Sequence, residues 1–252
     1  MLFRSRPSVS LELYRKAGVL PELYPELDGL VGVPGPHGSE DDLWAYAVGC
    51  CDCVPAHRPI LRLAALLHGV GRQESPGTEP EDVFALAERR AAALMIRLRF
   101  SNAETREVVG LVGVGIEPPS SSASPADLRR LASRIGRSRL TSLYRLWIAA
   151  VRADRRASID RASEVAMAWR AIRRELREGH ALSEEDLALD GKDLISMGLK
   201  PGPRFGEILA HLLDRVLEDP SLNLPDTLRS EVAAYLEGET GEGAPHPPDS
   251  HE

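Results

Sequence analysis

Residues 189–209 read LDGKDLISMGLKPGPRFGEIL, and the breaks in this run decide how the chain folds around it. Gly198 is placed to end one helix, and Pro201-Gly202-Pro203 begins the next. A helix start leaves backbone N–H groups without intrahelical partners and with a partial positive charge. Gly202 permits close backbone approach, Arg204 falls in the first turn, and Lys192 and Lys200 flank the turn. Such a turn can hold one phosphate of a nucleic-acid backbone. Equally, it can do no more than pack two helices, and the residues alone leave both readings open. Asp193 reads as a helix cap rather than a metal ligand.

Outward from this run the pattern stays helical. Ser8–Gly18, Asp41–Cys53, Arg58–Val70, Glu81–Arg99, Ser101–Val112, Pro125–Ile135, Leu140–Arg156 and Ser158–Glu178 each carry helix periodicity or helix-boundary signals. Ser8 or Ser10 is expected to cap the first, and Ser101 with Glu104 forms a capping-box signature. No strand-like alternation of useful length occurs, so the expected fold is all-α. The segment 73–82 reads as a loop. Residues 117–126, EPPSSSASPA, form the clearest linker. The expected organisation is a helical domain over 1–116, the linker 117–126, a second helical domain over 127–236 and a disordered acidic tail over 237–252.

Composition narrows the class. At 252 residues with 43% hydrophobic content the chain can bury a sizeable core, and its 5% aromatic content leaves that core to Leu, Ala, Val and Ile. No apolar run is long enough for a membrane span, and no signal-peptide stretch opens the chain, so we expect a cytoplasmic protein with no membrane partner. Cys50, Cys51 and Cys53 fit neither a disulfide framework nor a zinc site and read as small apolar helix residues. Net charge is −7, yet residues 121–180 hold 14 Arg and no Lys against 6 acids. That asymmetry fits a phosphate-binding face or a solvated helical face.

The order Gly191-Lys192-Asp193-Leu194, then Gly198, Pro201-Gly202, Phe205-Gly206 and Leu209 resembles the body and tail of the bacterial tRNA nucleotidyltransferase family, the CCA-adding enzymes and poly(A) polymerases. Leu146–Arg156, LWIAAVRADRR, resembles a family helix ending in Arg-Ala-Asp. The resemblance implies an RNA-binding tail that grips tRNA by its backbone, which requires basic helices rather than base-reading side chains. The residues expected to meet phosphate are Arg152, Arg155, Arg156, Arg170, Arg173, Arg174, Arg177, Lys192, Lys200, Gly202 and Arg204.

Residues 60–72, ILRLAALLHGVGR, resemble the HD-phosphohydrolase signature, in which imidazole and carboxylate groups hold divalent metal. Here the family's ligand positions carry other residues: Tyr46 for the first His, Gly69 after His68 for the Asp, Ala87 for a later His and Gly115 for another. Only His68 remains, so the implied hydrolase carries no metal, no cofactor and no catalytic residue. The resemblance also implies a polymerase head with a D-x-D metal pair, and no D-x-D occurs. On this resemblance we expect the chain to open past the point where the family's catalytic head would end.

Three readings follow. The first is a non-catalytic homologue of the body and tail that binds tRNA or another structured RNA. The second is a subunit of a split nucleotidyltransferase, active only with a separate head polypeptide. The third is a protein-interaction scaffold of inactive HD type. A truncated relic without a selected role also stays open.

Overall fold

The computed structural model describes residues 6–36, 41–71, 80–116, 118–120, 122–154 and 159–242. Among them are thirteen α-helices and no strand, so the fold is all-α, as expected. None of these helices is long and apolar enough to cross a membrane. The chain divides into two compact units, Met1–Ala123 with Arg134–Ile172, and Ser124–Ser133 with Arg173–Glu252. A division at 117–126 rests on composition. This one rests on packing, which joins the helix after residue 139 to the helices of the first hundred residues.

In the first unit α1 (Pro7–Lys16) is followed by two one-turn helices, α2 (Leu20–Leu23) and α3 (Pro25–Asp28), both too short to show a period in the sequence. Next come α4 (Leu43–Cys53), α5 (Pro59–Leu67), α6 (Pro80–Arg97), α7 (Asn102–Val112) and α9 (Leu140–Ala153). The expected loop at 73–82 falls mostly outside the described residues. α4 is the hub and packs on α1, α5 and α9, while α7 packs on α5 and α6. α4 and α9 approach closely because a Cβ on Gly49 would already lie 3.4 Å from the Ala153 Cβ. Leu11, Leu43, Ala47, Leu67, Leu111 and Trp147 are among the side chains that fill this core.

α1 does not use either expected serine as its cap. Arg6 is the N-cap residue and makes no side-chain cap bond, while Pro7 opens the helix. Ser8 instead ties α1 to α4, its N–H and hydroxyl donating to the Asp52 carboxylate at 2.9 and 2.6 Å. Trp44 Nε1 adds a second tie by donating to Glu12 at 2.6 Å. The Ser101 capping box forms as expected, and such a cap contributes about 1 kcal/mol.

α8 (Pro125–Ile135) and α10 (Ile159–Glu178) each contain a boundary between the units. The second unit adds α11 (Gly191–Ser196), α12 (Arg204–Glu218) and α13 (Pro225–Glu242), with short 3-10 turns at Glu184–Asp186 and Pro220–Leu222. α13 runs past Glu237, and residues 243–252 lie outside the described part. Leu194, Ile208, Leu212, Val216, Leu228 and Val232 are the centre of this unit's core. Asn223 stitches the chain ahead of α11 to the α12–α13 connection. Its Oδ1 accepts from Ala188 N at 2.8 Å and its Nδ2 donates to Asp186 O at 3.1 Å.

Candidate nucleic-acid interface

The turn between α11 and α12 is built from its caps. Asp190, not Asp193, is the N-cap of α11 and accepts from the N–H groups of Lys192 and Asp193. Asp193 completes the capping box by accepting from Asp190 N at 3.0 Å. The helix ends in a Schellman motif, with Gly198 N donating to Ile195 O at 2.9 Å and Leu199 N to Leu194 O at 3.1 Å. Gly198 sits at φ +88°, where a Cβ is strained. The chain then turns through 201–203 and starts α12 with Pro203 as its N-cap residue.

Two of the glycines here serve the protein's own packing or backbone. Gly191 faces the Phe205 ring, which lies 3.6 Å from where a Cβ would sit, so α11 and α12 meet at their first turns. Gly198 supplies the left-handed residue. Gly202 and Gly206 do neither: φ is not positive at either, and a Cβ on each would meet nothing within 4 Å. Lys192, Lys200 and Arg204 are all exposed around this surface. The amide supply is smaller than a bare helix start offers, since Phe205 N and Gly206 N already donate to Gly202 O and Pro203 O at 3.0 Å.

Of the other expected cations, Arg173, Arg174 and Arg177 belong to the second unit and are exposed on the last turns of α10. Arg174 Nε lies 3.8 Å from a Glu175 carboxylate oxygen. Arg152 and Arg170 belong to the first unit and are also exposed. Arg155 and Arg156 lie outside the described residues.

The positions that resemble HD ligand sites, Tyr46, His68, Gly69, Ala87 and Gly115, are all buried in the first unit. His68 is 5% exposed, its Nδ1 lies 2.6 Å from Ala65 O, and its ring stands edge-on to Tyr46 at 5.5 Å. A Cβ on Gly69 would meet the Leu43 side chain at 2.8 to 3.0 Å. Ala87 is buried at 2% exposure. Gly115 has φ +74°, and the Phe84 ring lies 2.9 Å from its Cβ direction. Leucine and phenylalanine carbon therefore fills the space that a side chain at Gly69 or Gly115 would enter. One imidazole among hydrocarbon does not fit a divalent metal.

Sequence reasoning missed one grouping of chemically capable side chains. Donor atoms of Glu175, Glu178 and His180 lie within 4.8 Å of one another. The Arg129 guanidinium, 2.7 Å from Glu175, already compensates the buried carboxylate there. Arg129 and Glu175 lie 46 residues apart, and no local pattern links them.

Residues 82–232, well over half of the chain, match the family model described as tRNA nucleotidyltransferase domain 2, putative. A protein of Cupriavidus taiwanensis named Multifunctional CCA protein is 40% identical over 86 residues, covering 32% of this chain and 20% of that protein. Proteins of the same name from Ectopseudomonas mendocina and Teredinibacter turnerae are 37% and 33% identical, over 31% and 30% of this chain. The matched part spans about a fifth of the length of these curated relatives. The extent of the family match makes this chain a member of the tRNA nucleotidyltransferase domain 2 family.

Proposed function

We propose that this chain binds tRNA or another structured RNA through its phosphate backbone and does no chemistry of its own. The observation that carries the reading is the open surface at Gly202 and Gly206. Neither backbone conformation nor internal packing accounts for these two glycines, and Lys192, Lys200 and Arg204 of the same α11–α12 stretch are exposed. Glycine with cations at that spacing suits close approach of a phosphate. Arg152, Arg155, Arg156, Arg170, Arg173, Arg174 and Arg177 extend the supply of positive charge. Membership of a tRNA nucleotidyltransferase family supports tRNA as the partner.

The test is binding of labelled tRNA across a salt series, with Lys192, Lys200 and Arg204 changed together to Ala. Loss of three phosphate contacts flattens the slope of log K against log salt by roughly two to three. No binding at low salt, or an unchanged slope, overturns the reading. Turnover of 2′,3′-cyclic nucleotides with added manganese or magnesium would overturn the non-catalytic half of it.

Membership of the family supports a second reading as well. The region would then act beside a nucleotidyltransferase head on a separate polypeptide. Nucleotide addition that appears only on mixing the two chains is its signature.

A further inference from the structure

We propose that the stacked pair Tyr144 and Trp169 is a platform for an unpaired nucleobase, so that the RNA bound by this chain presents a looped or single-stranded base. The inference rests on the RNA-binding reading above and adds the kind of RNA. The two rings, from α9 and α10, lie 4.6 Å apart between centroids and within 13° of parallel. Both are half-buried, whereas the other tryptophans, Trp44 and Trp147, are 2% and 1% exposed.

The neighbouring residues on the same helices are small on the solvent side. A helical side chain covers the turn N-terminal to its own Cα. For Trp169 the solvent-side residues on that turn and the one before it are Ala166 and Ala162, neither of which overhangs an aromatic plane. Thr141, one turn before Tyr144, is small and exposed. Arg170 is exposed and Arg145 half-exposed, each next in sequence to one of the rings. A flat, partly open aromatic surface on helices that also carry exposed arginine suits an unstacked base and its phosphate. Positive charge on these helices disfavours an arginine- or lysine-rich protein segment as occupant.

The experiment uses the full chain and its intrinsic tryptophan emission, to which only Trp169 contributes from a partly exposed position. Three RNA probes share one stem: a hairpin with an adenine-rich loop, the same hairpin with an abasic loop, and a fully paired blunt duplex. The adenine-loop hairpin is expected to quench emission and to bind at least about fivefold more tightly than the other two. Trp169→Ala is expected to abolish that preference, whereas Trp169→Phe keeps the preference and loses the quenching. Circular dichroism and the melting temperature show that both variants fold. If all three probes bind equally, with no dependence on residue 169, the stacking inference is overturned while backbone binding stands. If no probe binds, both fall. Quenching by a protein partner instead of any RNA likewise overturns the proposal.

Discussion

The Arg129 guanidinium and the Glu175 carboxylate meet at 2.7 Å with their side chains only 6% and 5% exposed. Arg129 is fully engaged, because its Nε donates to Leu217 O at 2.8 Å and its Nη2 to Glu218 O at 3.0 Å. One side chain thus satisfies a buried carboxylate and two carbonyls at the end of α12. Arg129→Met removes the nearest donor from all three acceptors, and removing one partner of such a buried pair costs about 3–5 kcal/mol. Urea unfolding of the variant measures it. Arg129→Lys rescues little, since one ammonium cannot copy the three-way fork. A loss below about 1 kcal/mol would show that the pair does not hold this unit together.

Gly69→Asp restores the residue that the HD signature carries, and it is expected to harm rather than revive. The new Cβ enters the Leu43 side chain, and the carboxylate is buried beside His68 with no second or third ligand. Overpacking alone costs about 1–3 kcal/mol. The melting temperature should fall, and equilibrium dialysis should detect no manganese uptake. Adding Leu43→Ala relieves the clash but leaves the charge, so recovery is expected to be partial.

Glycines near the α11–α12 turn separate by role. Gly198→Ala places a Cβ at φ +88° and is expected to destabilise by about 1–2 kcal/mol. Gly206→Ala is expected to leave stability equal or raise it by roughly 0.5–1 kcal/mol, because the site is helical and open. If a phosphate approaches here, Gly202→Ala and Gly206→Ala weaken tRNA binding without loss of stability. Thermal melts and binding on the same samples read both effects.

The three cysteines are free, with Cys50 and Cys51 buried. Burial pushes the Cys51 thiol up to about 12, against a smaller opposing effect of Arg62. Burial also raises Cys53. At pH 8 the native protein should therefore react slowly with a thiol-specific disulfide reagent, and all three groups should react on unfolding. A fast native burst of one equivalent or more would contradict the packing of α4.

Glu12 makes stability depend on acid. Burial pushes its carboxyl up, but hydrogen bonds from Arg15 and Trp44, with the charges of Arg15 and Lys16, hold it below its ordinary 4.5. The ionised form is thus favoured by the fold. Its contribution is fully present above pH 4.5 and is lost as pH falls through the lowered folded value. Glu12→Gln should flatten the dependence of unfolding free energy on pH below 4.5 and leave the neutral-to-basic range unchanged in slope.

Local signals carried the element order well. The Ser101-to-Glu104 box and the Gly198 stop are properties of a few adjacent residues, and both form as read. Roles set by distant partners were not legible. Ser8 looks like a cap in sequence, yet its hydroxyl goes to Asp52, 44 residues on. Asp190 and Asp193 share one capping box, and only backbone geometry tells which of them is the cap. The absence of ligands at Tyr46, Gly69, Ala87 and Gly115 was visible, but not that Leu43 and Phe84 fill the space. The Tyr144–Trp169 stack joins two helices whose periodicity marks the residues as amphipathic and says nothing of ring orientation.

The two hydrogen bonds of Asn223 give the chain an order of events during synthesis. The segment entering α11 is held by a residue that emerges from the ribosome 35 positions after Ala188. Until that length of chain is free, Ala188 N and Asp186 O lack their Asn223 bonds. The stretch leading into α11 therefore gains these two bonds late in translation, and a nascent chain stalled before Asn223 should lack them.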